Sequence, residues 1–233
     1  MKVVLLAGGL GSRLSEYTKT VPKPMINIAG KPMLFHIMKL YAKYGYKDFY
    51  VALGYKREVI KKFFNKKNFN WNIHLINTGR KTMTGGRLKR LKKYIGKETF
   101  MMTYGDGLSN VNLKKLLKFH KKNKKLVTLT AVRPPARFGA LKLKGKHVSY
   151  FKEKSKMDEG WINGGFFVCK SNVIDYIKDD STIFEQGPLI NLANNGELMS
   201  YKYQGFWKCM DTLRDKKALN EMWDSKNTPW KRW

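Results

Sequence analysis

The chain has 233 residues, 42% of them hydrophobic and 13% aromatic, which suits one folded α/β domain and excludes a disordered chain. No apolar run reaches the roughly 18 residues of a membrane span. The first residues also lack a signal-peptide pattern, so we expect a cytoplasmic protein. Cys169 and Cys209 stand alone, which argues against a disulfide framework and against a zinc site.

Positive charge is the unusual property of the composition. Lys and Arg number 47 against 17 Asp and Glu, a formal net charge of +30, and such a surface attracts polyanions. The lysines are spread along the chain without a DNA- or RNA-binding motif. We therefore favour solvated helix faces, while a basic nucleic-acid-binding module stays open as an alternative that predicts steeply salt-dependent DNA binding.

The first element is an apolar strand followed by a glycine-rich loop, VVLLAGGLGSRL from Val3 to Leu14. Glycine allows positive φ, so the loop N–H groups can turn toward one point. Such a cradle binds phosphates, and the guanidinium of Arg13 suits phosphate oxygens. A phosphate-binding loop is the prediction.

Lys23 follows between Pro22 and Pro24. The two prolines predict an extended, stiff segment that fixes the lysine with little loss of entropy. An exposed turn lysine is the alternative, but a neighbouring phosphate cradle favours a phosphate contact.

Strands and helices then alternate, which predicts a mostly parallel sheet with right-handed crossovers. The predicted strands are Val3–Ala7, Phe49–Leu53, Trp71–Ile76, Phe100–Thr103, Val127–Val132, Ile162–Cys169 and Leu198–Phe206. The predicted helices are Lys31–Tyr44, Tyr55–Phe64, Arg87–Tyr94, Leu113–Asn123, Ser171–Lys178, Ile183–Asn194 and Thr212–Trp223.

A second glycine turn lies in Thr82–Arg90, TMTGGRLKR, ahead of the basic helix. Its hydroxyls, glycines and arginines suit an oxygen-rich ligand. A plain surface loop is an equally good interpretation.

Two aspartates are candidate metal ligands. Asp106 stands between glycines after a buried strand, where open α/β sheets bind ligands, and Mg²⁺ prefers one or two carboxylates with water and phosphate oxygens. An Asp-Gly turn is the alternative. Asp211 is either a second carboxylate ligand or the N-cap of the last helix, and its spacing does not decide between the two.

From Pro134 to Lys154 the apolar runs become short and predict an antiparallel hairpin over the sheet. The next strand begins Asn163-Gly164-Gly165. Glycines weaken a strand and often mark a close approach of the backbone to a ligand.

The glycine loop fits neither common nucleotide motif. Gly9 and Gly11 begin a G-x-G-x-x-G pattern, but Leu14 takes its third glycine, and no G-x-x-x-x-G-K-[ST] occurs. LAGGLGSRL with PKPM instead resembles the signature of the sugar-nucleotide pyrophosphorylases. Further blocks in the same order resemble its bacterial glucose-1-phosphate cytidylyltransferase branch: GKPMLFHIMKLY, NTGRKTMTGGRLKR, TYGDG, TLTAVRPPARFGAL, WINGGFFV and GFWKCMDTLRDK.

The resemblance implies a fold and a set of roles. The fold is a Rossmann-like, mostly parallel mixed sheet flanked by helices, of the nucleotide-diphospho-sugar transferase type. It forms one domain over residues 1–233, with 134–165 as a β elaboration on the sugar-phosphate side. The implied nucleotide site comprises Leu6, Ala7, Gly8, Gly9, Leu10, Gly11, Ser12, Arg13, Lys23, Thr82, Arg87 and Gly105. Glu153, Lys154, Asn163 and Gly164 face the sugar phosphate, Asp106 and Asp211 hold Mg²⁺, and Arg13, Lys23 and Asp106 are catalytic.

The implied reaction joins CTP to α-D-glucose 1-phosphate, giving CDP-glucose and pyrophosphate. UTP or dTTP, or another phosphorylated acceptor, stay open as alternatives. The expected partners are these substrates and further copies of the chain, with no dedicated nucleic-acid or membrane partner. One departure concerns base preference and oligomeric state, because a connection that is longer in the family is reduced here to Asn65–Asn70.

Overall fold

The computed structural model describes residues 1–66, 69–134, 140–152 and 160–233. Its strands are β1 (Lys2–Leu6), β2 (Asn27–Ile28), β3 (Lys31–Pro32), β4 (Asp48–Leu53), β5 (Asn72–Asn77), β6 (Phe100–Tyr104), β7 (Gly107–Ser109), β8 (Val127–Val132), β9 (Ala140–Lys144), β10 (His147–Lys152), β11 (Ile162–Cys169), β12 (Leu198–Tyr203) and β13 (Trp207–Cys209). Its helices are α1 (Ser15–Thr18), α2 (Met33–Lys43), α3 (Arg57–Asn65), α4 (Thr84–Arg90), α5 (Lys92–Ile95), α6 (Leu113–Asn123), α7 (Pro188–Asn194) and α8 (Leu213–Asp224).

A seven-stranded sheet forms the centre of the molecule, in the order β12-β8-β11-β6-β1-β4-β5. All its strand pairs are parallel except those of β11, which runs antiparallel to both β6 and β8. The predicted mostly parallel mixed sheet is therefore confirmed. The end of β1 lies beside the end of β6, since Leu6 is opposite Tyr104, and the reversed strand β11 begins at this same edge.

Both faces of the sheet are covered, as the unbroken apolar sequence of β1 requires. Val3 and Leu5 pack on one side with the apolar face of α2. Val4 and Leu6 pack on the other with side chains of α4 and α5. Burial on both faces fixes the end of β1, and with it the position of the glycine loop.

In the part of the chain that the structure describes, three small antiparallel pairs lie outside the main sheet. β9 and β10 form the predicted hairpin, and β2 pairs with β3. The third pair joins β7 to β13, with Gly107 opposite Cys209. It was not predicted, because three-residue strands that are far apart in sequence leave no periodic signal.

Several predicted helices are shorter or of another type. The residues after the glycine loop form two short turns, the 3₁₀ turn Ser12–Leu14 and α1. Ser171–Tyr176 is a 3₁₀ helix. The helix predicted over Ile183–Asn194 begins only at Pro188, the first helical position, where the missing N–H of proline costs nothing. The bounds predicted for α6, β8 and β11 are confirmed.

Candidate active site

The glycine loop leaves the sheet edge between β4 and β6. The Gly8 carbonyl accepts the N–H of Tyr55 at 3.1 Å, which holds the loop against the neighbouring strand end. Gly11 takes the left-handed conformation (φ 68°), and a Cβ there would lie 2.9 Å from side-chain atoms of Thr18 and Lys23. Gly9 and Leu10 are exposed, so the tip of the loop is open to a ligand.

Arg87 lies beneath this loop, 4% exposed, rather than in the open pocket. Its guanidinium donates to the carbonyls of Gly8 (2.8 Å), Gly79 (2.7 Å) and Leu53 (3.2 Å) and to the hydroxyl of Thr78 (2.9 Å). A Cβ on Gly8 would come within 2.2 Å of Arg87 Nη1. Burial, together with Arg90, lowers the pKa of Arg87. Arg87 therefore supports the glycine loop from below and places positive charge under it.

Lys23 lies in a 3₁₀ turn, Lys23–Met25, so the prediction of an extended segment holds for Pro22 (ψ 149°) but is wrong for the lysine itself. The turn arises because the Met25 N–H donates to the Pro22 carbonyl at 2.8 Å. Lys23 is 7% exposed. Its Nζ donates to Asp106 Oδ2 and to Asp211 Oδ1, both at 2.5 Å.

Asp106 and Asp211 are brought together by the β7–β13 pair. Asp106 directly precedes β7, and Asp211 follows β13 after one residue. The Met210 N–H also donates to the Asp106 carbonyl at 2.9 Å. The interpretation of Asp211 as an N-cap is wrong, because Thr212 caps α8 in a reciprocal capping box with Asp215. The Asp211 carboxylate is thereby left free for the site.

At this site the cationic side chains of Lys23 and Arg13 lie in contact with the carboxylates of Asp106 and Asp211. Burial, the largest influence on Lys23, favours the neutral amine, but the ion pairs with Asp106 and Asp211 outweigh it and raise the pKa of Lys23 above its usual value. Arg13 Nη1 pairs with Asp211 Oδ2 at 2.7 Å from a largely exposed position. Lys23 thus pairs with both carboxylates, and Arg13 pairs with that of Asp211.

The paired aspartates and Cys209 form a candidate donor set for a metal ion. One ligand atom each of Asp106, Cys209 and Asp211 lie within 4.8 Å of one another. Burial, reinforced by Asp106, raises the pKa of Cys209 far above its usual value, so the thiol stays protonated. Two carboxylates converging on the position of a cation, here the Lys23 ammonium, fit a hard divalent ion such as Mg²⁺.

The second glycine turn does not have the predicted form. Gly85 and Gly86 belong to the first turn of α4, and a Cβ on Gly86 would lie 2.5 Å from the Asp180 backbone. These glycines serve close packing. Thr82, which is 7% exposed, lies against Gly79.

Two of the predicted sugar-phosphate residues, Asn163 and Gly164, form hydrogen bonds to Tyr104 and Trp207. Asn163 Nδ2 donates to Tyr104 Oη at 3.4 Å, and the Gly164 carbonyl accepts Trp207 Nε1–H at 2.7 Å. Gly105 packs on Pro24 and the Leu6 carbonyl. Glu153 and Lys154 lie outside the described residues.

Two residues near the site, Tyr104 and Glu185, were missed by the sequence analysis. Glu185 accepts the Tyr104 hydroxyl at 2.5 Å. Tyr104 carried a positional signal, since it ends β6 directly before Gly105-Asp106. Glu185 carried none, because it stands in a connection between elements.

Comparison with known proteins shows the family to which the chain belongs. Residues 2–207 match the family described as nucleotidyl transferase. The chain belongs to this nucleotidyl transferase family. The glucose-1-phosphate cytidylyltransferase of Salmonella typhimurium is 48% identical over 256 aligned positions that cover 100% of both chains. The probable glucose-1-phosphate cytidylyltransferase of Bacillus subtilis is 42% identical, with the same full coverage.

Solved structures show the same fold for this nucleotidyl transferase. HddC from Yersinia pseudotuberculosis, complexed with GMP-PN, superposes with a TM-score of 0.76 at 26% identity, covering 95% of this chain and 99% of HddC. The predicted fold class is therefore confirmed. None of the helices in the described part of the chain has the length and apolar character needed to cross a membrane.

Proposed function

We propose that this nucleotidyl transferase joins CTP to α-D-glucose 1-phosphate, releasing pyrophosphate and CDP-glucose, within a single domain over residues 1–233. The observation that carries the proposal is the convergence of Lys23, Asp106 and Asp211 beside the glycine loop. Full-length identity of 48% with a protein named glucose-1-phosphate cytidylyltransferase supports the choice of both substrates.

The chemistry requires positioning and charge neutralisation more than proton transfer. A phosphate oxygen of glucose 1-phosphate forms a bond to the α-phosphorus of CTP, while the bond from that phosphorus to the bridging oxygen of pyrophosphate breaks. The attacking oxygen is already anionic, so no general base is needed. The enzyme must instead hold two anions in line and offset their repulsion.

Each part of the site meets one of these needs. The loop from Leu6 to Arg13 holds the nucleotide, and the N–H groups of its glycines face the phosphates. Lys23 and Arg13 donate to phosphate oxygens when the nucleotide displaces them from the aspartates. The buried charge of Arg87 lies below the loop and favours an anion above it. Thr82 and Gly105 complete the nucleotide side.

Asp106 and Asp211 would hold Mg²⁺, which would supply positive charge to offset the negative charge that develops on the leaving group. Asn163 and Gly164 would face the sugar phosphate, together with Glu153 and Lys154. Asn163 offers amide N–H groups, and the exposed glycine-loop tip lies at the same sheet edge. Under this proposal, hydrogen-bond donors lie on both the nucleotide side and the acceptor side of the site.

A pyrophosphate-release assay tests the proposal. Purified protein is given each of the four NTPs and dTTP with a panel of sugar 1-phosphates, with Mg²⁺ or with excess chelator. We expect release from CTP with glucose 1-phosphate and none in the chelator, with CDP-glucose identified by mass. No release from any pair would overturn the reaction class. Preferred turnover of UTP or dTTP would overturn only the assignment of the base.

A further inference from the structure

Glu185 joins two segments that carry different parts of the site. Its Oε1 accepts the hydroxyl of Tyr104 at 2.5 Å, and its Oε2 accepts the hydroxyl of Thr84 at 2.7 Å. Tyr104 ends β6 directly before Gly105-Asp106, and Thr84 begins α4, two residues after Thr82. One carboxylate thus ties the metal-side strand to the nucleotide-side helix.

The carboxylate of Glu185 fixes which groups donate and which accept in this hydrogen-bond network. Both hydroxyls donate to it, Tyr104 to Oε1 and Thr84 to Oε2. Burial, reinforced by Glu185, raises the pKa of Tyr104 far above its usual value, and the phenol keeps its proton. Thr84 Oγ1 in turn accepts the Phe184 N–H at 2.9 Å. Each hydroxyl therefore has one defined direction.

The hydroxyl of Tyr104 in turn fixes the orientation of the Asn163 side chain. With its proton committed to Glu185, the phenol oxygen can only accept, and Asn163 Nδ2 donates to it at 3.4 Å. Asn163 Oδ1 accepts the Gly165 N–H at 2.9 Å. The amide can therefore turn only one way, and among the described residues nothing takes the second hydrogen of Nδ2.

The Tyr104 ring also supports the backbone that follows Asn163. Gly165 has a φ of 77°, and a Cβ there would lie 2.7 Å from Tyr104 Cδ2. Ring and hydroxyl together set both the backbone and the amide at the start of β11.

We propose that Glu185 and Tyr104 are positioning residues for the acceptor substrate: they orient Asn163 so that its free N–H meets an oxygen of the sugar phosphate. The inference rests on the proposed function and deepens its acceptor side. Neither residue touches the reacting atoms. We expect the two residues to affect the binding of the sugar phosphate and to leave the binding of the nucleotide unchanged.

The test compares Tyr104→Phe with a matched control, Tyr176→Phe. Tyr104→Phe keeps the ring under Gly165 and removes only the hydroxyl. Tyr176→Phe likewise removes a tyrosine hydroxyl that accepts from an asparagine side chain, that of Asn195, and neither residue belongs to the proposed site. We expect Tyr104→Phe to raise the KM for glucose 1-phosphate about tenfold, the effect of losing one oriented hydrogen bond. The KM for CTP and kcat should change less than about twofold, and the control should match wild type.

Glu185→Leu, alone and with Tyr104→Phe, tests whether the two residues act as one unit. Leucine accepts no hydrogen bond, so Glu185→Leu should raise the KM for glucose 1-phosphate by a similar factor. The double variant should then be no worse than either single one, because both cut one chain of hydrogen bonds. Melting temperatures, measured in parallel, show whether each variant folds.

The outcomes separate the two proposals. If wild type makes no pyrophosphate from CTP and glucose 1-phosphate, the proposed function fails and this inference fails with it. If wild type is active, an unchanged KM for glucose 1-phosphate in folded Tyr104→Phe overturns the inference alone. Equal rises in both KM values, or additive effects in the double variant, overturn it as well.

Discussion

Lys23, Asp106 and Asp211 converge on one point although they come from distant parts of the chain. The lysine lies 2.5 Å from a carboxylate oxygen of each aspartate and is almost wholly buried. It occupies the position that a divalent cation would take between the two carboxylates. Binding of nucleotide and metal must therefore move a bound ammonium, and two predictions follow from this exchange of cations.

The first concerns Asp106→Asn, which replaces one of the two carboxylates proposed to hold the metal by an amide. We expect turnover to fall by about three orders of magnitude, the usual cost of losing a group that stabilises charge in the transition state. Pyrophosphate release measures it. Asp224→Asn, an exposed change on α8, serves as the control, and both variants should keep the wild-type circular dichroism spectrum. Normal turnover in Asp106→Asn would remove this residue from the proposed metal site.

The second concerns Lys23→Gln. Without the ammonium, two neighbouring carboxylates repel each other and attract a divalent ion. We expect Mn²⁺ to bind the nucleotide-free variant about tenfold or more tightly than wild type, while CTP binds more weakly. Calorimetric titration of each ligand measures both. Lys19→Gln, at an exposed position close in sequence, should leave both affinities unchanged. Weaker or unchanged Mn²⁺ binding in Lys23→Gln would show that the lysine does not compete with the metal.

At the scale of elements, the β7–β13 pair sets the site, and the sequence could not predict it. Each strand has three residues, too few for a period-2 pattern, and their pairing is a long-range contact. The long strands and α6 were predictable because apolar periodicity dominates there. Asp106 could be predicted from its place after β6. The role of Asp211 could not be predicted, because an aspartate at the start of a helix can be either its N-cap or a metal ligand.

The second glycine turn shows where local pattern misleads. Glycines beside hydroxyls and arginines suggested a ligand loop, whereas Gly86 lies inside α4 against the Asp180 backbone. Chain propensity cannot distinguish a glycine needed for a turn from one needed for close packing. The contact that shows the packing role of Gly86 is with Asp180, almost a hundred residues away in the sequence.

Gly86→Ala tests this packing role. In an open helix, alanine would stabilise by about 1 kcal/mol, but here the added Cβ would lie 2.5 Å from backbone atoms of Asp180, which cannot move freely. We expect a net loss of about 1–3 kcal/mol in the free energy of unfolding, the usual cost of overpacking, measured by urea titration. Gly187→Ala has nothing within 4 Å of its Cβ and should be neutral or slightly stabilising. A rise in the KM for CTP with unchanged stability in Gly86→Ala would instead favour a ligand loop.

At the scale of the whole molecule, the net charge of +30 requires explanation. Within the described residues, few cations lie at the site: Lys23 and Arg87 are buried there, and Arg13 is near its edge. Many others lie exposed on helix faces, as at Lys118, Lys121 and Lys122 on α6. Because both proposed substrates are anions, this distribution should draw them toward the protein from a distance.

Salt dependence tests this long-range attraction. The Debye length falls from about 30 Å at 10 mM to about 10 Å at 100 mM salt, so distant lysines lose their influence first. We expect kcat/KM for CTP to fall about tenfold between about 10 and 300 mM KCl, while kcat changes less than about twofold, because the contacts inside the site are screened little. Replacing Lys118, Lys121 and Lys122 by Gln should flatten this slope and leave kcat unchanged. A flat profile in wild type would mean that the exposed lysines only solvate their helices. Tight DNA binding at about 10 mM KCl that weakens steeply toward about 300 mM would instead support a nucleic-acid-binding surface, since contacts to many phosphates release counterions.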